Sequence, residues 1–210
     1  MLLWPAIAVT GVFLLLVVAE YFSRTGRVHS EITRKFVHMT VGTFVATWPF
    51  FLSWRDILLL GCAFLFVVTA SVQFNIFRSI HSVNRNAVGE TLFAIVIILL
   101  AALSHDRWIF MAAALHLSVA DGLAAVVGTT MKHRSGRYFV FGSPKSIAGT
   151  TTFFIVSAII VSVYAHATHQ HNWGALILLP GLATAAENIG GYGFDNLLVP
   201  LIVMAVLRLA

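Results

Sequence analysis

Apolar stretches that approach the about 20 residues a helix needs to cross a bilayer follow one another along this sequence. They occupy nearly all of the 210 residues, and the segments between them are short. Only 10% of the residues are charged and 59% are hydrophobic, whereas soluble domains carry about 25% charged residues. We therefore predict an all-α fold: a polytopic membrane helix bundle of about eight transmembrane helices, in a single domain covering 1 to 210. The predicted spans are 2 to 21, 36 to 52, 56 to 75, 88 to 103, 108 to 128, 147 to 165, 173 to 186 and 197 to 209.

The lysines and arginines are concentrated in alternate loops. Only three of the thirteen, Arg55, Arg107 and Arg208, fall outside the first, third and fifth loops or their borders. Since basic loops face the cytoplasm, we predict that both termini lie outside. Most acids map to the same cytoplasmic half, which the topology rule does not explain and which favours a site for a charged ligand. These acids are Glu20, Glu31, Glu90, Asp121, Glu187 and Asp195.

Asp121 is the acid that most needs an explanation. It lies within the apolar segment WIFMAAALHLSVADGLAAVVG, where an ionised carboxylate costs on the order of 3 kcal/mol. Such a residue usually binds something, although a hydrogen-bonded structural Asp is the simpler alternative. Ala124, Ala125 and Gly128 fall on or near its helical face, and these small residues would let a second helix or a ligand approach closely.

The loop after this span combines the features of an anion site. It reads GTTMKHRSGRYFVFGSPKSIAGTT, with four Lys or Arg residues, four glycines and several hydroxyls. Glycine-rich backbone and a helix amino terminus near Ser146 both favour a bound anion, which suggests a polyphosphate. The phosphate-binding signatures GxxxxGK[ST] and GxGxxG are absent, and a plain loop that anchors its helices through Lys and Arg is the alternative.

Two further polar segments fall on the same side. EITRKFVHMTVG carries Arg34, Lys35 and His38 into the second span, and RNAVGETLF places Glu90 near the amino end of the fourth. A helix amino terminus stabilises a carboxylate. Each segment alone would be interfacial anchoring, but with Asp121 they indicate one shared site.

The last predicted cytoplasmic loop, ENIGGYGFDNLLVPL, joins two short spans that are interrupted by prolines. Broken helices often line ligand sites in membrane proteins, so we include Glu187, Asp195 and Asn196 among the candidate residues. Asp195 and Asn196 could instead only cap the last helix. The histidines of HATHQH lie on the other side without a cysteine or acid near them, and we do not expect a metal there.

Taken in order, these segments resemble the membrane family that contains dolichol kinase, phytol kinase, farnesol kinase and the CTP-dependent diacylglycerol kinases. The matching motifs cover nearly the whole chain, and none of them is decisive alone. The positions that carry the resemblance are Glu31, Arg34, Lys35, His38, Gly42, Arg85, Gly89, Glu90, Ala120, Asp121, Ala124, Ala125, Gly128, Lys145, Ser146, Gly149, Thr150, Glu187, Asp195, Asn196 and Pro200.

The resemblance implies transfer of the terminal phosphate of CTP to a membrane lipid alcohol at the cytoplasmic face, with Mg²⁺ as cofactor. The alcohol would be an isoprenoid such as a polyprenol, phytol or geranylgeraniol, or diacylglycerol. The implied catalytic residues are Asp121, Lys145, Arg34, Lys35 and His38, with Asp121 either a metal ligand or the base. The implied nucleotide-binding residues are Lys132, Arg134, Ser146, Gly149, Thr150, Gly128 and Asn196. The implied metal ligands are Asp121, Glu90, Glu187 and Asp195.

One position departs from the family pattern, because Ala148 stands where members commonly carry an acid. Two other functions stay open. A cytidylyltransferase making CDP-lipid would use the same nucleotide and release pyrophosphate, but the terminal acid pair expected of it is missing. A small transporter would need a polar outer mouth, and few charges lie there. We expect lipid alcohol, nucleotide and bilayer as partners, no nucleic acid, and location in a prokaryotic plasma membrane.

Overall fold

The computed structural model describes residues 3–24, 30–74, 87–131, 134–170 and 172–210. Within these ranges some side chains are not described, namely those of residues 19, 20, 22 to 24, 30 to 34, 71, 72, 74, 87 and 192. The described residues form eight α-helices and one β-hairpin, so the predicted all-α class is confirmed. The helices are α1 (Leu3–Arg24), α2 (Ser30–Ala46), α3 (Trp54–Phe74), α4 (Ala87–Leu103), α5 (Arg107–Thr130), α6 (Ile147–Thr168), α7 (Trp173–Ile189) and α8 (Asp195–Leu209).

Helices α5 and α6 are long and apolar enough to cross a membrane. Shorter apolar helices cover Leu3–Val18, Val88–Leu103 and Trp173–Ile189. The number of spans and the sides of the two termini remain predictions from the sequence. The apolar part of α5 is 67% buried and that of α6 only 28%, which makes α5 a central helix of the bundle.

The core surrounds α5. Its side chains Phe110 and Leu117 are almost fully buried, together with Phe153 of α6, Leu179 of α7 and Val203 of α8. Helices α2, α6 and α8 all pack against α5. Residues that project from the middle of α5 are therefore surrounded by protein.

Polar side chains at the helix ends explain several of the boundaries. Asp106 accepts hydrogen bonds from the N–H groups of Trp108 and Ile109 at 2.8 and 3.0 Å, which caps α5. Ser146 accepts from the N–H of Gly149 at 3.1 Å and caps α6 in the same way. These side chains satisfy backbone donors that the first helical turn leaves without partners.

The segment between α5 and α6 is more ordered than the irregular loop expected from its glycines. Strands β1 (Arg137–Val140) and β2 (Ser143–Ser146) form an antiparallel hairpin in which Tyr138 pairs with Lys145. The two turn residues, Phe141 and Gly142, have φ of 47° and 81°, as a two-residue turn with left-handed backbone requires. The pairing places Tyr138 and Lys145 on one face of the hairpin.

Candidate functional site

The middle of α5 departs from α-helical geometry just before Asp121. Residues His116–Ala120 form a π-helical turn, a feature that often marks functional sites. His116 bonds through Nδ1 to the carbonyl of Ala112 and through Nε2 to Oγ of Ser157 on α6, both at 2.8 Å. Both side chains are fully buried. The sequence analysis missed this pair, although His116 is a polar residue in an apolar segment and lies close to Asp121.

Two glycines bring α2 and α5 close together beside that turn. A Cβ at Gly42 of α2 would overlap Ser118 of α5, and a Cβ at Gly122 of α5 would overlap Met39 of α2. The absence of both side chains allows this close approach of the two backbones. The contact places the polar side chains of α2 next to Asp121.

Asp121 is buried and paired. Lys35 donates to its Oδ2 at 2.6 Å, and Nε2 of His38 lies 3.8 Å from the same oxygen and 3.0 Å from the carbonyl of Leu117. Lys35 and Asp121 side chains are only 13% and 10% exposed. The structure therefore brings together three residues that the sequence analysis assigned to one site.

A second ion pair joins the hairpin to α7. Lys145 Nζ donates to Oε1 of Glu187 at 2.6 Å and to the backbone carbonyl of Glu187 at 2.7 Å. The other carboxylate oxygen of Glu187, Oε2, is buried and accepts no hydrogen bond from the part of the chain that the structure describes. A buried carboxylate oxygen without a donor is costly, so this atom is available to a further ligand.

The two ion pairs meet at a cluster of three carboxylates. Asp121, Glu187 and Asp195 each offer an oxygen, and these oxygens lie within 4.8 Å of one another. If all groups are ionised, the ammonium groups of Lys35 and Lys145 leave one negative charge uncompensated. Oxygen ligands at this spacing suit a hard divalent cation such as Mg²⁺.

The turn before α8 holds the cluster together. Gly193 has φ of 93°, and a Cβ on it would lie 3.0 Å from the Cα of Gly89 in α4. Asn196 Nδ2 donates to the carbonyl of Gly89 at 2.9 Å, and the N–H of Asp195 donates to the carbonyl of Gly190, also at 2.9 Å. The turn before α8 and the first residues of α8 therefore contact α4 directly.

Glu90 and Asn196 lie beside the carboxylate cluster. They line a small cavity of about 60 Å³ together with His38. Among the described residues Glu90 is not part of the three-carboxylate group. Its assignment as a metal ligand stays a prediction.

The predicted phosphate-binding residues contact one another and the end of α7. A Cβ on Gly128 would lie 3.6 Å from the Cα of Gly149, so α5 and α6 are in close contact there. The Gly149 amide is bonded to Ser146. Thr150 bonds to Tyr138 and, at 3.3 Å, to Oδ1 of Asn188. Binding of a nucleotide by these groups stays a prediction.

Arg134, Lys132 and Arg34 were also assigned to the site. Arg134 is exposed in the turn before the hairpin, where its N–H bonds to the carbonyl of Met131 at 2.9 Å. Lys132 lies outside the described residues, and so does the side chain of Arg34. Ala124 is buried, and its backbone carbonyl oxygen would lie 3.0 Å from a Cβ added at Gly149.

Tyr138 and Asn188 were not singled out in the sequence. Tyr138 donates its hydroxyl to Oδ1 of Asn188 at 2.5 Å, and Nδ2 of Asn188 donates to the carbonyl of Thr184 at 2.9 Å. Tyr138 is the cross-strand partner of Lys145, and Asn188 follows Glu187. The Tyr138–Asn188 bond therefore runs beside the Lys145–Glu187 ion pair and fixes the hairpin on α7.

Comparison with curated proteins gives one informative match. The chain is 31% identical over 209 residues to a phytol kinase from Synechocystis sp., and the alignment covers 95% of this chain and 88% of that protein. The chain belongs to the family of polyprenol and phytol kinases. No protein-family profile and no solved structure matches it. The resemblance inferred from the motifs is thus confirmed, and an enzyme of this family is a lipid phosphotransferase.

Proposed function

We propose that this protein transfers the terminal phosphate of CTP to an isoprenoid alcohol, such as phytol, geranylgeraniol or a polyprenol, with Mg²⁺ as cofactor. The observation that carries the proposal is the cluster of Asp121, Glu187 and Asp195 beside Lys35 and Lys145. Phosphoryl transfer needs mainly positioned groups and compensated charge. The phytol kinase from Synechocystis sp. supports an isoprenoid alcohol over diacylglycerol as acceptor.

The carboxylates would hold the metal ion. Asp121, Glu187 and Asp195 supply oxygens close enough to share one cation, and Glu187 Oε2 is a buried acceptor that no described residue donates to. Bound Mg²⁺ would neutralise charge on the phosphate oxygens. We assign Asp121 to this metal because it is one of the three clustered acids.

Lys35 and Lys145 would contribute the positive charge that faces the triphosphate. Both ammonium groups are mostly buried and point at the carboxylate cluster, where charge interactions are stronger than in water. Arg134, Arg34 and Lys132 would add further positive charge for binding the triphosphate. Ser146, Gly149, Thr150, Gly128 and Asn196 would shape the nucleotide site, with Ser146 holding the first turn of α6 in place.

The alcohol would enter at the cavity lined by His38, Glu90 and Asn196. Its oxygen forms a bond to the terminal phosphorus, the bond from that phosphorus to the bridging oxygen breaks, and CDP leaves with the electron pair. The hydroxyl proton passes to a carboxylate, for which Glu90 at the cavity is well placed. A polar head beside an apolar chain requires a site at the membrane surface, and we propose the cytoplasmic face of the plasma membrane.

The test uses the purified protein in lipid micelles with Mg²⁺, CTP or ATP, and one acceptor at a time. We expect CDP and a phosphorylated isoprenoid alcohol, and weaker product with ATP. Asp121→Asn should reduce turnover at least about 100-fold, because it removes a charge from the site of transfer. Asp56→Asn is the matched control, since among the described residues the Asp56 side chain accepts hydrogen bonds only from Ser53, at the start of α3.

The other outcomes are equally specific. Release of pyrophosphate with phosphatidate as acceptor would make the protein a cytidylyltransferase. Solute uptake into proteoliposomes without nucleotide, with no phosphorylated alcohol, would make it a transporter. Wild-type turnover in Asp121→Asn would contradict the role of the carboxylate cluster.

A further inference from the structure

A second cavity continues from the one that His38, Glu90 and Asn196 line. It has a volume of about 170 Å³, and every described residue that lines it is apolar or glycine. The two cavities share Leu16, Val41, Phe64 and Phe93, one residue from each of α1 to α4. They therefore form one path with a polar end and an apolar end.

The path follows one face of α2. His38 and Val41 line the polar cavity, and Val41 and Val45 line the apolar one. Steps of three or four residues keep these side chains on the same helical face. At 1.5 Å per residue, His38 and Val45 are about 10 Å apart along α2. Trp48, which also lines the apolar cavity, lies two residues beyond the end of α2.

The neighbouring helices give the same order. On α1 the lining runs from Leu16, shared by both cavities, to Val12 and Ala8, and on α4 from Phe93 to Ile97. Again the steps are three or four residues. Helices on opposite sides of the path thus agree on its direction, from the carboxylate site into the apolar interior.

The apolar cavity also has a side opening. Val9 and Phe13 on α1 and Val67 on α3 line it and are 53%, 57% and 43% exposed. In a bilayer these side chains would face lipid. A hydrocarbon chain could therefore enter sideways between α1 and α3 without its polar head crossing the apolar interior.

We infer that this path between α1, α2, α3 and α4 binds the hydrocarbon chain of the lipid alcohol, with the hydroxyl at His38 and Glu90 and the chain directed towards Trp48. The inference rests on the proposed function. The size and the apolar lining of the cavity both suit a hydrocarbon chain, because a dry apolar cavity of about 150 Å³ already binds a molecule the size of benzene. This cavity would hold the first part of an isoprenoid chain, and the remainder would leave through the side opening.

The test compares phytol and the shorter geraniol as substrates of the variant Val45→Phe. The larger side chain at position 45 would fill the apolar part of the path. The matched control is Val163→Phe, the same change at an exposed position on α6. We expect the ratio of kcat/KM for phytol to that for geraniol to fall about tenfold or more in Val45→Phe. Val163→Phe should leave both values unchanged within about twofold, since an exposed substitution has small effects.

Failure of the inference is distinguishable from failure of the proposed function. If the wild-type protein phosphorylates both alcohols and Val45→Phe lowers both values equally, or neither, the chain does not bind along this path. If the wild-type protein phosphorylates no alcohol, the proposed function itself fails.

A direct measurement covers the case in which Val45→Phe does not fold. A photoreactive isoprenoid alcohol cross-linked to the wild-type protein should label residues such as Val12, Leu16 and Phe64, and excess phytol should reduce the labelling. Labelling confined to α6 and α7 would overturn the assignment.

Discussion

Replacing Lys145 by Met separates the structural role of its ion pair from its role in turnover. The substitution removes both bonds to Glu187 and leaves that carboxylate, 8% exposed, without its ion-pair partner. Breaking one partner of a buried ion pair costs about 3–5 kcal/mol. In a protein of about 200 residues this corresponds to a fall in Tm of about 6–20 °C.

The companion variant Glu187→Gln removes the uncompensated charge. In the double variant, Lys145→Met with Glu187→Gln, neither charge remains, so most of the lost stability should return. Turnover should not return, because the same two groups are proposed to bind phosphate and metal. The pair of measurements is Tm in lipid micelles and CTP-dependent phosphorylation of phytol, on the wild type, both single variants and the double variant.

We expect the double variant to regain Tm but not turnover. If the double variant regains both stability and turnover, the pair is structural only, and Lys145 and Glu187 do not belong to the reaction site. If Lys145→Met has the wild-type Tm, the burial energetics assigned to this pair are wrong.

Three further predictions follow from the contacts of α5 and from the carboxylates. Gly122→Ala should lower both Tm and turnover because its Cβ would overlap Met39. Gly181→Ala should change neither, because no described atom beyond its own helix backbone and chain neighbours lies within 4 Å of the added Cβ. Ser157→Ala leaves Nε2 of the buried His116 without its partner, so the free energy of unfolding should fall by about 1–3 kcal/mol; an unchanged denaturation profile in micelles would contradict this. Chelation by EDTA should abolish phosphorylation, and added Mg²⁺ but not added Ca²⁺ should restore it, since Mg²⁺ requires near-octahedral geometry; full activity in EDTA would exclude the metal.

The positions of the helices could be predicted from the sequence because hydrophobicity is a local signal. The apolar segment 88 to 103 forms the helix Ala87–Leu103, and the segments 147 to 165 and 173 to 186 lie in the helices Ile147–Thr168 and Trp173–Ile189. The ends extend a few residues further because polar groups continue the helices. Sequence reasoning also selected Asp121, Glu187 and Asp195, since acids in or beside apolar segments are costly and therefore conspicuous.

The ion-pair partners of these acids could not be predicted from the sequence. Lys35 pairs with Asp121 across 86 positions, and Lys145 with Glu187 across 42. Helix pairing in an apolar bundle depends on close packing, and helices that are apolar on most sides show no single face that identifies a neighbour. The hairpin was missed because its turn residues Phe141 and Gly142 give only a weak signal within a glycine-rich segment.

The order in which the site is assembled follows from these long-range contacts. Asp121 comes from the middle of the chain, but Glu187 and Asp195 come from the last two helices, and Asn196 must bond to Gly89 of α4, 107 positions earlier. A chain that ends before α8 would lack Asp195 from the carboxylate cluster and Asn196 from the cavity proposed for the alcohol. The proposed metal site and the proposed alcohol site therefore depend on the same contact between α8 and α4. We expect neither site to form before that contact does, which couples completion of the fold to the ability to bind the metal and the alcohol.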